Sequence, residues 1–175
     1  PNLHISFYDD NAGAVLQMVE NQEVDFGIAS LWHEEEHSDK TFIPIWEDNV
    51  GVVCRTDHPL ATYDELHWEQ LRKHRLISNG TSRLLEDSEA EPLLGHSQFY
   101  ISNMISLVAM LEAGMGVTTL PWFAFPQEST KLKFIPLTTP NLVRRIGIIR
   151  MSNKSLTPAA DSLVQFILAH SGQSE

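Results

Sequence analysis

Met104, Leu107, Val108 and Leu111 stand at positions i, i+3, i+4 and i+7, the spacing that lays one apolar stripe along an α-helix. Phe99-Tyr100-Ile101 reads as a strand ahead of that helix, with Ser102 where an N-cap belongs. Gly114 follows as a helix-ending C′ residue, and Val117 to Leu120 reads as a strand that Pro121 ends. Strand, helix and strand in this order need a crossover, which points to an α/β fold with parallel pairing.

The same order recurs along the chain. Leu3, Ile5 and Phe7 alternate with His4 and Ser6 as in a strand; Val15, Leu16, Met18 and Val19 carry a helical stripe. Val24 to Ala29 is a short apolar run, as expected of a strand covered on both faces. Two apolar segments follow, Phe42 to Trp46 and Val50 to Cys54, before Asp57-His58-Pro59 breaks the pattern. A second series then starts with a strand at Leu76-Ile77 and a helix from about Arg83 to Leu94. Arg145 to Arg150 is β-like, and Thr157-Pro158 opens a last helix with Leu163, Phe166 and Ile167 on its apolar face. Two such series with two links between them predict two α/β lobes: residues 1–55 plus 145–175, and residues 56–144.

Charge narrows the function. Twelve Lys and Arg against 23 Asp and Glu give a net charge of -11, and the balance stays negative with all 8 His protonated. Such a surface repels phosphate backbones and anionic lipid, so the chain itself is not expected to bind nucleic acid or membrane. No apolar run of about 18 residues is present, and no signal segment opens the chain, so a cytoplasmic domain is expected. A single cysteine, Cys54, excludes an intrachain disulfide and reads as a buried small apolar residue.

Catalytic patterns are thin. His33-Glu34-Glu35-Glu36-His37 matches the zinc-protease pattern H-E-x-x-H, which needs both imidazoles on one face of an anchored helix. Its flanks, Leu31-Trp32 and Ser38-Asp39-Lys40, place it in a solvated acidic loop instead, and no metal or other cofactor is expected. Gly114-Met115-Gly116 follows a helix and lacks a third glycine, so it is not a dinucleotide loop. No G-x-S-x-G elbow is present, and no enzyme activity is expected. Trp32, Trp46, Trp68 and Trp122 read as core or interface residues.

The polar turns that follow strands are the candidate binding residues. They are Asn11, Ala12 and Gly13; Ser78, Asn79 and Thr81; and Ser102 and Asn103. In parallel α/β folds such turns lie at the carboxyl ends of strands, where helix N–H groups and short hydroxyl or amide side chains suit a small anion. Three successive units carrying such turns point to one shared ligand cleft.

Several segments together resemble a known family. Val24-Asp25-Phe26-Gly27-Ile28, His58-Pro59-Leu60-Ala61 and Leu111-Glu112-Ala113-Gly114-Met115-Gly116-Val117-Thr118-Thr119-Leu120-Pro121 occur in the order seen in LysR-type transcriptional regulators. Ser155-Leu156-Thr157-Pro158-Ala159-Ala160 is similar to the start of the last helix of that family's effector-binding half. The resemblance implies two Rossmann-like lobes joined by two crossover strands, a type II periplasmic-binding-protein-like fold, with a small-molecule effector in the interlobe cleft. It also implies a homodimer or tetramer, and DNA contact only through an N-terminal helix-turn-helix that has no counterpart in this chain. The family's first strand–helix unit has no counterpart here either, so the chain is expected to be a fragment with an incomplete first lobe. The alternative within the same architecture is a solute-binding protein of a transport system.

Overall fold

The computed structural model describes residues 4–30 and 39–171. The H-E-x-x-H segment, Trp32 and Leu3 lie outside them. The elements are α1 (Ala12–Glu20), β1 (Gly27–Ser30), β2 (Lys40–Arg55), β3 (Leu66–His67), α2 (Trp68–Leu71) and β4 (Ile77–Asn79). Then come β5 (Phe99–Ile101), α3 (Met104–Glu112), β6 (Thr118–Pro121), β7 (Leu132–Thr139), β8 (Val143–Met151) and α4 (Pro158–His170). The chain divides into two compact units, one of residues 1–47 and 145–175, the other of residues 48–144.

In the first unit, α1 packs its Val15, Leu16 and Val19 face on Ala29 of β1 and Ile149 of β8. A Cβ on Gly27 would come 2.6 Å from Cγ1 of Val15, so the close approach of helix and strand depends on the missing side chain. The strand is shorter than Val24–Ala29 and pairs antiparallel with β8. Its Ile28 is exposed, so β1 is covered on one face and not on both. Residues 4–10 form no strand, and Ile5, Phe7 and Tyr8 are exposed. Alternation supplies a strand with a face, but a ladder needs a neighbouring edge, and no described residue pairs with this segment. Helix α4 begins as expected, with Thr157 Oγ1 accepting the Ala160 N–H at 3.2 Å and Pro158 at the first position. Ala160 and Val164 are the residues it buries, whereas Phe166 of the expected apolar face points to solvent.

The two apolar segments at Phe42 and Val50 are one strand. Glu47, Asp48 and Asn49 do not interrupt it, because Asp48 is paired where it is buried: its carboxylate accepts two bonds from the Arg144 guanidinium, at 2.7 and 2.9 Å, and the Phe123 N–H at 2.9 Å. In the second unit, β2 pairs antiparallel with β6 and β7, β3 pairs parallel with β7, and β4 pairs parallel with β5. The parallel pairing expected of strand–helix–strand units is therefore found in this unit. Val52, Cys54, Leu66, Leu71, Leu76 and Ile135 centre one core cluster, and Leu107, Leu111 and Leu120 a second under α3.

Two local expectations change. Residues 83–94 are not a helix but two 3-10 turns, Ser82–Leu85 and Glu91–His96, separated at Asp87, whose φ is 58°. A left-handed residue ends an α-helix, and Pro92 lacks the N–H to restart one in mid-course. The N-cap of α3 is Asn103 and not Ser102: its Oδ1 accepts the Ser106 N–H at 3.1 Å. The other end of α3 is as expected. Gly114, at φ +73°, donates to Leu111 O and Met115 donates to Met110 O, the paired bonds of a Schellman end. Arg55 then packs its stem on Gly114 and donates to Glu112 O at 3.2 Å, a cation at the negative end of the helix.

Arg144→Met would leave the Asp48 carboxylate, 1% exposed, without its counter-charge. A loss of about 3–5 kcal/mol of unfolding free energy is expected in urea denaturation, with part recovered when Asp48→Asn is added.

Candidate functional site

The parallel register of β4 and β5 sets Ser78 beside Tyr100 and Asn79 beside Ile101. Both strands end together, so the turn at Asn79–Thr81 and the turn at Ser102–Asn103 lie side by side at their carboxyl ends. The structure thus brings Ser78, Asn79, Thr81, Ser102 and Asn103 into one neighbourhood of the second unit. Asn11, Ala12 and Gly13 belong to the first unit, where Asn11 caps α1 and Ala12 and Gly13 form its first turn.

Their side chains are engaged unequally. Asn79 is buried, and its amide is fully committed: Nδ2 donates to Thr118 Oγ1 at 2.8 Å and to Thr119 O at 2.9 Å. Its Oδ1 accepts from the Thr81 N–H at 2.8 Å and from the Thr81 hydroxyl at 2.7 Å. Its backbone N–H donates to the buried Ser82 hydroxyl at 2.9 Å. Asn79 is therefore the frame of the turn. The Ser78 hydroxyl donates to Phe99 O at 3.0 Å and lies 3.1 Å from the Ser97 hydroxyl, which also accepts the Ser78 N–H. By contrast, the exposed Ser102 hydroxyl and the Asn103 Nδ2 make no hydrogen bond among the described residues. The first N–H groups of α3 have no helical acceptor, and no acidic residue occupies that first turn.

The start of α1 is electrostatically different. Asp10 Oδ1 accepts both the Asn11 N–H at 2.7 Å and its Nδ2 at 2.9 Å, while Asn11 Oδ1 accepts the Ala14 N–H at 3.1 Å. A carboxylate already faces that helix end, so an added anion is less welcome there than at α3. A cavity of about 110 Å³ in the first unit, lined in part by Val19, Glu23, Arg150 and Lys154, touches none of the eight predicted residues.

Ser82, Ser97, Thr118 and Thr119 were not among the predicted residues, yet they hold the frame. Thr118-Thr119 inside the apolar run Val117–Leu120 was the available signal, since buried hydroxyls require partners. Ser97 carries no such signal in the sequence. Among the described residues no group of three or more His, Cys, Asp or Glu is placed to hold a metal ion, and no helix is long and apolar enough to cross a membrane. Trp122 is exposed, stacked on Phe125 and edge-on to Phe134, so it is not a core residue. Cys54 is fully buried, and burial pushes its thiol up to about 11, with Asp57 adding to the rise and Lys133 opposing it.

Two outcomes follow from this geometry. Asn79→Ala removes four side-chain bonds and strands buried polar groups, so a loss of about 2–4 kcal/mol is expected in denaturant melts, against little change for Ser102→Ala. Cys54 should react with a thiol-specific disulfide reagent at pH 8 more than about a hundredfold slower than a free thiol until urea unfolds the chain.

A family model described as the LysR substrate binding domain matches residues 1–172. The HTH-type transcriptional regulator YbhD of Escherichia coli is 28% identical over 174 residues, covering 96% of this chain and 54% of that protein. The transcriptional dual regulator GltC of Bacillus subtilis is 23% identical over 163 residues, covering 88% and 53%. The chain thus spans about half the length of the curated relatives it matches. Among solved structures, the effector binding domain of QuiR in complex with shikimate aligns with TM-score 0.83, 21% identity, and 96% and 81% coverage of the two chains. The regulatory domain of CcmR from Synechocystis PCC6803 in complex with 2-PG aligns with TM-score 0.77, 19% identity, and 93% and 81% coverage. Those effector-binding domains share the α/β, periplasmic-binding-protein-like fold of this chain. On the match along nearly its whole length, the chain belongs to the LysR substrate-binding domain family.

Proposed function

We propose that this chain is the ligand-sensing regulatory domain of a LysR-type transcriptional regulator, and that a small anion anchors on its second unit at the start of α3. One observation carries the reading. Ser102 and Asn103 present an uncommitted hydroxyl and amide beside a helix N-terminus that no acidic residue occupies. Backbone N–H groups there supply charge complementarity without a Lys or Arg, and the side chains fix orientation. Thr81 keeps lone pairs for a further bond, whereas Ser78 and Asn79 act by holding the turn. Asn11, Ala12 and Gly13 belong to the same proposal as neutral contacts, since Asp10 makes the start of α1 unsuited to a negative group.

Ligand binding in such a domain acts by favouring one conformation or assembly over another. Readout through a DNA-binding helix-turn-helix, action as a homodimer or tetramer, and a cytoplasmic setting are part of the proposal, supported by relatives that are HTH-type regulators. The same relatives favour regulation over solute transport and over catalysis.

The test is a thermal-shift screen of small carboxylates and phosphates, followed by titration of a hit against variants. Asn103→Asp keeps the cap acceptor but adds a negative charge, so stability should hold within about 1 kcal/mol. Ligand affinity should fall by about ten- to a hundredfold, and Ser102→Ala should weaken it less. Unchanged affinity in the Ser102→Ala, Asn103→Asp double variant would remove this site from consideration.

A further inference from the structure

The segment His58-Pro59-Leu60-Ala61 takes no part in the proposed ligand site, and its geometry carries a separate inference. His58 is the N-cap of a 3-10 turn, Pro59–Thr62, and its Nδ1 accepts the Leu60 N–H at 3.2 Å. That role fixes the protonation state. Nδ1 must carry a lone pair, so the ring is neutral with its proton on Nε2. The turn matters to the core because Leu60, 3% exposed, packs among Leu66, Leu71 and Leu76. Beside it stands a second imidazole, His74, with ring centroids 4.9 Å apart in an edge-to-face arrangement.

Charged groups reach the turn from several sides. On its own segment, Asp57 precedes His58, but its carboxylate is held by the Arg55 guanidinium through Nε and Nη2. From the stretch after α2 comes His74, whose N–H donates to Leu71 O. From β7 comes Lys133, whose ammonium donates to Ala61 O at 2.7 Å and Tyr63 O at 3.1 Å, at the far end of the turn. Asp57 thus favours a charged His58, while its chelation by Arg55 blunts that help.

We propose that His58 and His74 form an acid-sensitive clasp on the Pro59–Thr62 turn: neutral His58 holds the turn closed, and uptake of a proton by its imidazole opens it. Protonation places a hydrogen on Nδ1, so the Leu60 N–H loses its acceptor and faces another donor. The new charge also lies against His74, which titrates in the same range as an ordinary imidazole. Partial burial, then His74, hold His58 below the usual imidazole value, with Asp57 acting the other way. The sign follows from that depression. The contribution of the clasp is whole above about pH 6.5, the ordinary value for an unfolded histidine, and is lost as pH falls through the lower folded value. This inference stands apart from the ligand-sensing reading, because neither imidazole belongs to the proposed anion site.

The test uses the 175-residue chain, with histidine titrations and Leu60 amide protection factors measured by NMR between pH 4.5 and 8. In the wild type, Leu60 protection should fall by at least about fivefold, the population change that an N-cap bond supports, with the midpoint at which His58 titrates. In His58→Asn, whose side chain caps without titrating, Leu60 protection should be flat over the same range. In His74→Gln, the His58 midpoint should move to higher pH, because a neighbouring positive charge has been removed. Wild-type protection that stays constant through the His58 titration overturns the proposal, as does an equal loss in His58→Asn. Should His58→Asn fail to fold, an unmoved midpoint in His74→Gln overturns it alone.

Discussion

One primary amide organises the second unit's polar end. Asn79 joins the carboxyl end of β4 to β6 through Thr118 and Thr119, and folds the following turn back onto itself through Thr81. Each lone pair and each proton of the side chain has a partner, which is the condition under which a buried amide stabilises a fold instead of costing desolvation. Because β5 lies in parallel register with β4, fixing the end of one strand fixes the end of the other. The position of Ser102 and Asn103 depends on that chain of constraints, and so does the direction in which α3 starts.

Much of this was legible beforehand where local chemistry dominates. The α3 stripe, the Gly114 end, the Thr157-Pro158 start and the β8 run each rest on neighbouring residues, and each formed where spacing put it. What failed depended on distant partners. Leu3–Phe7 has the alternation of a strand, yet no described edge receives it. Asp48 looked like a break between two strands because its partner, Arg144, lies 96 residues away. Ser102 and Asn103 compete for one cap, and periodicity cannot tell adjacent polar residues apart. The site shows the same division: its turns were visible, but not that Asn79 spends its amide on the frame while Asn103 keeps its Nδ2.

Electrostatics shape what such a frame can hold. The chain is strongly acidic, and several of its cations are occupied: Arg144 by Asp48, Arg55 by Asp57 and the end of α3, Lys40 by Glu20 and Asp39. Anion capture at the start of α3 would then rest on short-range N–H dipoles against an unfavourable long-range field. That balance favours compact ligands that make several hydrogen bonds at close range over extended polyanions.

The single long strand β2 has a consequence for how the chain is made. It spans residues 40–55, but its ladder partners are residues 118–121 in β6 and 132–136 in β7, with β8 later still. During synthesis both its edges stay open while some 65 further residues emerge, since loops of that length must close before any ladder bond forms. An apolar strand in that condition is a template for wrong pairing. Asp48 and the flanking Glu47 and Asn49 interrupt the middle of its apolar surface, so the polar stretch that reads as a break between strands also makes the nascent strand a poorer partner for another copy.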